Sequence, residues 1–179
     1  ITGLATLISV PIGMFTAIYL VEYGGKNTLA RWIRFFVDVM TGIPSIVAGL
    51  FGLAVFIAFM PDQSVRMGIM GAVALSLLMI PTVVRNSEEM LRLVPMDLRE
   101  AAYALGVPKW LTIVKVVLRT AIAGLTTGIT LAIARVIGET APLLLTVGMV
   151  TSVNWNMFDG RMATLPTFIN QQYRNNLVL

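Results

Sequence analysis

The sequence predicts an all-α protein, a polytopic bundle of membrane-spanning helices. Of its 179 residues, 57% are hydrophobic and only 12% are charged, and the mean hydropathy is +0.85. A water-soluble domain of this length could not bury that much apolar surface, so lipid is the expected solvent for much of the chain. The apolar residues also fall into long runs, several of them close to the roughly 20 residues that cross a bilayer.

Two residue types are absent, and their absence excludes whole classes of site. The chain has no cysteine and no histidine, which rules out a disulfide framework, thiol catalysis and the common zinc-ligand sets. We predict no catalytic residue, no metal and no cofactor. The basic residues lie at the ends of apolar runs without interleaved aromatic residues, so nucleic acid is not an expected partner.

The first quarter of the chain predicts one span and one interfacial helix. Residues Thr2 to Val21 are apolar apart from small polar residues, and Pro11 in the middle predicts a kink. Residues Thr28 to Met40 carry their large apolar side chains at helical spacing and their charges elsewhere around the turn. This pattern is typical of an amphipathic helix at the membrane surface.

Three further spans are predicted. Gly42 to Met60 is apolar with small residues that permit close helix contact, and Met67 to Val84 follows after a short loop. Ala121 to Val150 is apolar for about thirty residues apart from Arg135 and Glu139, with Pro142 interrupting it. The remaining segment is mixed in polarity, and Pro166 is placed to start a short helix.

Between the third and fourth spans lies the most polar long segment, which predicts two short helices joined by a turn. Asp97 and Glu100 have the spacing of a capping box, so the first helix is expected to start near Asp97. Gly106 supplies the positive φ that a helix end commonly needs, and Pro108 is placed to begin the second helix.

This segment resembles the EAA motif of permease subunits in bacterial ABC importers, at Glu100, Ala101, Ala102 and Gly106. In that family the segment is a cytoplasmic coupling element that docks into the ATP-hydrolysing subunit, so these four residues are the expected ATPase-coupling residues. The family usually has proline where this chain has Arg119. The second helix could therefore run unbroken into the membrane.

The basic residues predict the orientation. If the side that carries this segment is called inside, the inside segments hold nine of the thirteen basic residues and the outside segments hold three. The nine are Lys26, Arg31, Arg34, Arg85, Arg92, Arg99, Lys109, Lys115 and Arg119. The positive-inside rule then places the segment in the cytoplasm.

The remaining basic residue, Arg135, lies within the fourth predicted span. A charge at the membrane centre costs from about 2.5 to more than 10 kcal/mol, so it requires a partner or a wet cavity. Arg135 and Glu139 are four residues apart and are expected to share a helix face and pair. Either they only neutralise each other, or Arg135 lines a path and offers an anion its planar fork of donors.

The run ARVIGETAPLLLTVG, which contains Arg135, Glu139 and Thr140, resembles the signature of phosphate-importer permeases of the PstA type rather than the PstC type. The runs PTVVRNSEEMLRLVP and GIPSIVAGLFGL are similar to the same subunit. The resemblance implies that Arg135, Glu139 and Thr140 belong to the substrate path, and Arg85 and Glu88 match the same pattern. A snorkelling arginine and a solvated acid are the alternative for these two.

The resemblance implies a type I, MetI-like permease fold in a multi-pass protein of the bacterial inner membrane. We expect one transmembrane permease domain over residues 1–179, truncated at both ends, with the coupling segment at about 85–119. The implied partners are ATP-binding subunits, a second permease subunit of the PstC type, an external phosphate-binding protein and membrane lipid. ATP hydrolysis is expected on a separate chain, because the run Gly24 to Lys26 lacks the other residues of a phosphate-binding loop.

Three other functions remain open at this stage. A permease for another oxyanion, such as sulfate or molybdate, would also carry the docking segment. A passive anion channel or secondary carrier would not require it. A membrane scaffold that transports nothing would use Arg135 and Glu139 only as a structural pair.

Overall fold

The computed structural model describes residues 1–25, 27–59, 66–148, 150, 154, 156–158 and 160–176, so Lys26 and Met60 lie outside it. These residues form helices and no strand, which confirms the all-α class. The α-helices are α1 (Thr2–Ile18), α2 (Thr28–Thr41), α3 (Ser45–Phe59), α4 (Gly68–Arg92), α5 (Met96–Ala104), α6 (Lys109–Thr112), α7 (Leu118–Ile137), α8 (Ala141–Thr146) and α9 (Leu165–Asn176). Two π-helical turns, Tyr19–Tyr23 and Ile113–Val117, continue α1 and join α6 to α7.

Three helical segments among the described residues are long and apolar enough to cross a membrane. They are Thr2–Tyr23, Gly68–Arg92 and Lys109–Ile137, with 22, 25 and 29 residues. Helices α2 and α3 qualify only as a pair, and a bend of 109° separates them. A bilayer core of about 30 Å needs roughly 20 helical residues, so the chain is a multi-pass membrane protein.

The predicted amphipathic helix is confirmed as α2. It buries Ala30 and Val37 and leaves the rings of Trp32, Phe35 and Phe36 more than half exposed. The predicted second span is shorter than expected, because the described helix begins only at Ser45. Pro44 accounts for this late start, since a residue that precedes proline is disfavoured in the α conformation.

The predicted fourth span, Ala121 to Val150, is wrong at both ends. The helix starts earlier, at Lys109, and runs unbroken through Arg119, as the missing proline allowed. It ends at Ile137, and α8 follows after a break. Pro142 prevents one continuous helix, because it has no N–H and its ring would clash with the carbonyl of Gly138. The short helix after Pro166 is confirmed as part of α9.

The first helix of the coupling segment starts near Asp97, as predicted, but Asp97 does not cap it. Helix α5 begins at Met96 with Pro95 as its N-cap, and the Asp97 side chain makes no capping hydrogen bond. The proline fixes φ at −56° and so starts the helix one residue early. Asp97 therefore lies in the first turn, where its carboxylate still interacts favourably with the helix dipole.

The chain divides into two compact units. Unit 1 comprises Ile1–Ser9, Gly42–Met79 and Ile133–Leu179, and unit 2 comprises Val10–Thr41 and Ile80–Ala132. In unit 1, α3 packs closely on α8, because Gly49 has no side chain. A Cβ atom added at Gly49 would lie 2.7 Å from the Cα atom of Pro142. Small residues thus set the helix spacing, as is usual in a bilayer.

The core of unit 2 supports the coupling segment. Ala17 at the end of α1 packs with Leu91 and Val94 near the end of α4, and with Val117 and Leu125 of the long third span. A second cluster joins Leu20, Ala30, Val37 and Val84, and so fixes α2 against α1 and α4. These contacts place the charged ends of α2 and α4 side by side.

Candidate functional site

The coupling segment is a helix, a glycine turn and a second helix, as predicted. Gly106 has φ of +74°, a conformation that costs other residues strain. The N–H of Gly106 donates to the carbonyl of Tyr103 at 2.9 Å, and the N–H of Val107 donates to that of Ala102 at 3.1 Å. This is a Schellman motif, which closes α5 and turns the chain towards α6.

Three of the four residues that match the docking motif are exposed. Glu100, Ala101 and Gly106 face outward, whereas Ala102 is only 7% exposed and packs inward. Large apolar residues lie exposed beside them, including Leu98, Leu105 and Trp110. The sequence alone did not mark these three apolar residues. Their exposure on a polar segment is the signal that identifies them, because exposed apolar groups mark surfaces that contact another protein or the membrane.

A cluster of charges lies between α2 and α4 in unit 2. Glu88 is 6% exposed. Its Oε1 atom accepts hydrogen bonds from the Nε atom of Arg34 at 2.8 Å and from the Nη2 atom of Arg92. A second guanidinium nitrogen of Arg34 donates to the carbonyl of Leu20 at 2.8 Å. The carboxylate of Glu88 is therefore buried and paired with two guanidinium groups through one oxygen, and burial of a charge requires such a partner.

Arg85 belongs to the same cluster and is more exposed. Its guanidinium pairs with Asp38 at 2.8 Å and with Glu89 at 3.4 Å, and about half of its side chain remains exposed. A cavity of about 250 Å³ lies here, lined by Arg34, Arg85, Glu88, Glu89 and Arg92. Three guanidinium groups around one cavity offer donors to an oxyanion.

Sequence reasoning identified Arg85 and Glu88 in this cluster but missed Arg34, Asp38 and Arg92. One signal was available, because Arg34 and Asp38 are four residues apart on a helix, as are Glu88 and Arg92. The spacing could not show that α2 lies against α4. That information comes from the apolar contacts of unit 2.

Arg135, Glu139 and Thr140 belong to unit 1, where α7 ends. Arg135 is in the last turn of α7 and is exposed. The predicted Arg135–Glu139 ion pair is wrong: α7 stops at Ile137, so Glu139 is not one helical turn above Arg135. In the described part of the chain no carboxylate lies within 4 Å of the Arg135 guanidinium. Among the described residues, the N–H donors of Arg135 therefore have no carboxylate as a partner.

Glu139 and Thr140 lie in the break between α7 and α8. The N–H of Glu139 donates to the carbonyl of Val136 at 3.2 Å, and Thr140 is the N-cap residue of α8. The break thus brings a guanidinium, a carboxyl group and a hydroxyl group to the same helix end. No group of three or more acidic side chains in the described ranges converges as a metal site would require.

Comparison with known proteins identifies the family. The model of the binding-protein-dependent transport system inner membrane component family matches residues 9–169. The chain belongs to this family. As members are inner membrane components, the MetI-like, all-α fold and the multi-pass character predicted from the sequence are confirmed.

Several family members that are similar in sequence to this chain are named phosphate transport system permease proteins. The chain is 52% identical to phosphate transport system permease protein PstA 1 of Mycobacterium tuberculosis over 97% of this chain and 56% of that protein. It is 51% identical to PstA of Mycobacterium leprae, over 96% of this chain and 55% of that protein. It is also 51% identical to PstA of Yersinia pestis, over 79% of this chain and 47% of that protein.

The chain thus spans about half the length of the curated relatives that it matches. The resemblance to PstA-type permeases, seen first in the Arg135 run, is confirmed for nearly the whole chain.

Proposed function

We propose that this family member is part of the membrane-spanning permease of an ATP-driven importer that moves inorganic phosphate into the cell. The observation that carries the proposal is its 51–52% identity to two proteins named phosphate transport system permease over almost all of its length. The exposed helix, turn and helix of the coupling segment support it, because a channel or carrier without an ATPase needs no such docking surface.

The proposal includes the partners and the place of action. ATP-binding subunits, which are separate chains, hydrolyse the ATP. They bind the surface formed by Glu100, Ala101 and Gly106, with Ala102 packed beneath. A second permease subunit of the PstC type completes the path, and a periplasmic or lipoprotein phosphate-binding protein delivers the ion. The complex lies in the bacterial inner membrane with lipid around it, and residues 1–179 act as one permease domain with a cytoplasmic coupling segment at about 85–119.

Charged and polar side chains line the substrate path. Arg135 offers phosphate two or more N–H donors, and Glu139 and Thr140 at the same helix end position the ion or the guanidinium. Arg85 and Glu88 act in the arginine cluster of unit 2, where Glu88 orients Arg34 and Arg92. Phosphate is a doubly or singly charged oxyanion near neutral pH, and arginine suits it because its planar fork matches two oxygens at once.

Radiolabelled phosphate uptake tests the proposal. Bacteria that lack their own phosphate permease receive the full-length subunit with its partners, as wild type, Arg135→Gln or Arg174→Gln, at matched membrane levels. Arg174 is exposed on α9 and serves as the charge-matched control. We expect the wild type and Arg174→Gln to restore uptake and Arg135→Gln to abolish it.

Other outcomes identify the alternatives. If an assembled wild type restores no phosphate uptake but restores sulfate or molybdate uptake, the substrate assignment is overturned. Uptake that continues when the ATPase subunits are omitted would indicate a channel or carrier. Equal uptake by Arg135→Gln and the wild type would remove Arg135 from the path.

A further inference from the structure

Arg99 lies one position before the docking motif and is buried although it is charged. Only 8% of its side chain is exposed, and the side chain of Glu22 in the first π-helical turn is 6% exposed. The Nε and Nη2 atoms of Arg99 donate to the same Oε1 atom of Glu22, at 3.2 and 3.0 Å. The two residues are 77 positions apart, so this contact joins distant parts of unit 2.

The other guanidinium bonds of Arg99 close the end of α4. Its Nη1 atom donates to the carbonyl of Val94 at 2.7 Å, and its Nη2 atom donates to the carbonyl of Leu91 at 3.0 Å. Carbonyls at a helix C-terminus lack helical partners, and a cation there also interacts favourably with the helix dipole. One side chain therefore links α5 to α4 and to the end of the first span.

The second helix of the coupling segment is also attached to Glu22. Lys109, the first residue of α6, donates from its Nζ atom to the backbone carbonyl of Glu22. The same Nζ atom lies 4.5 Å from the centre of the Tyr23 ring, which adds a cation–π contact. Glu22 thus holds α5 through its carboxylate and α6 through its carbonyl.

We infer that Arg99 and Glu22 form a positioning pair that holds the coupling segment rigidly on the end of the first span. Movement that an ATPase subunit imposes on α5 is then carried directly into a membrane helix. This inference rests on the proposed function. It assigns a role in energy coupling to two residues outside the docking motif.

Burial explains why this pair holds the two elements together. Separating Arg99 from Glu22 would leave two charges with little access to water, which is strongly unfavourable. The Arg92–Glu88 pair differs, because 57% of the Arg92 side chain is exposed and water can replace its partner. The coupling segment and the end of the first span are therefore expected to move as one body.

Distances measured on the assembled importer test the inference without any use of phosphate. The 179 residues contain no cysteine, so in an importer whose other cysteines are replaced, spin labels attach only at Phe15→Cys on α1 and Asp97→Cys on α5, both exposed. We expect the same narrow distance distribution with and without trapped nucleotide. In the neutral double variant Glu22→Gln/Arg99→Met, which leaves no unpaired buried charge, the distribution should broaden or shift with nucleotide.

The functional measurement is the number of phosphate ions taken up per ATP hydrolysed in proteoliposomes. The double variant should lower this ratio about fivefold or more while ATP hydrolysis continues. Arg99→Lys keeps the charge but not the planar fork, so its ratio should fall between those of the wild type and the double variant. Arg174→Gln serves as the control and should not change it.

The inference is overturned if the double variant keeps both the narrow distribution and the wild-type ratio. It is also overturned if nucleotide changes the distance between the labels at positions 15 and 97 when Glu22 and Arg99 are both present. If the wild-type importer takes up no phosphate, the proposed function fails, and the label distances still decide whether the pair holds the coupling segment.

Discussion

Glu88 is the residue on which the arginine cluster depends. Its single carboxylate accepts from two guanidinium groups and is almost inaccessible to water. Without it, Arg34 would remain 70% buried, and among the described residues the Leu20 carbonyl would be its one remaining acceptor. A buried cation deprived of its counter-charge is costly, so this one acid stabilises the contact between α2 and α4.

We predict that Glu88→Gln lowers the free energy of unfolding by about 1–3 kcal/mol, because the amide cannot neutralise the two arginines. Thermal unfolding of the purified protein in detergent measures the change. Glu89→Gln is the matched control, since the Glu89 side chain is 59% exposed and its loss should change stability by about 0.5 kcal/mol or less. Equal effects of the two variants would contradict the assignment.

Single residues were predictable from the sequence where a local rule governs them. A positive φ was predicted for Gly106 because it follows a helical run, and the structure confirms it. The Arg135–Glu139 pair also followed a local rule, but the rule requires a helix through both residues, and Gly138 and Pro142 end it. The partner of Glu88 on α2, Arg34, could not be predicted, because it depends on a tertiary contact across 54 positions.

The turn between α5 and α6 gives a prediction about backbone strain. Gly106→Ala should destabilise the protein by about 1–2 kcal/mol, because a Cβ atom disfavours φ of +74°. No neighbouring atom lies within 4 Å of that Cβ, so the effect is conformational. Gly106→Asn should be milder, since asparagine tolerates this region. Equal unfolding temperatures for Gly106→Ala and wild type would refute the expectation.

The close approach of α3 and α8 gives a prediction about packing. Gly49→Ala should lower the free energy of unfolding by about 1–3 kcal/mol, because the new methyl group meets the Pro142 backbone at 2.7 Å. Gly3→Ala, where nothing lies within 4 Å, should not lower stability in the same thermal unfolding measurement. If Gly49→Ala behaved like Gly3→Ala, the two helices would not be held at this spacing.

At the scale of elements, hydropathy located the apolar helices but not all of their ends. Helix α2 matched its prediction because amphipathic spacing is a strong signal. The ends of α3 and α7 were misplaced because apolar residues continue past the prolines, and an apolar run does not show where the helix breaks. Hydropathy reports burial in lipid, whereas proline and glycine determine where helical hydrogen bonds stop.

For the whole molecule, the charge distribution predicts one orientation. The coupling segment should face the cytoplasm, because the segments on its side carry most of the basic residues. Membrane-impermeant maleimide should label Asp97→Cys only in inverted membrane vesicles. It should label Phe158→Cys, in a segment that the same rule assigns to the outside, only in right-side-out spheroplasts. The reverse pattern would show that the positive-inside rule does not govern this chain.

The Glu22–Arg99 contact has a consequence for how the protein is made. At synthesis rates of about 5–20 residues per second, Arg99 follows Glu22 out of the ribosome about 4–15 s later. During this interval the acid lacks the Arg99 guanidinium, its partner in the folded protein, and water is expected to solvate it. The end of the first span is therefore expected to stay at the membrane surface until the coupling segment has been synthesised and Arg99 can bury the charge of Glu22.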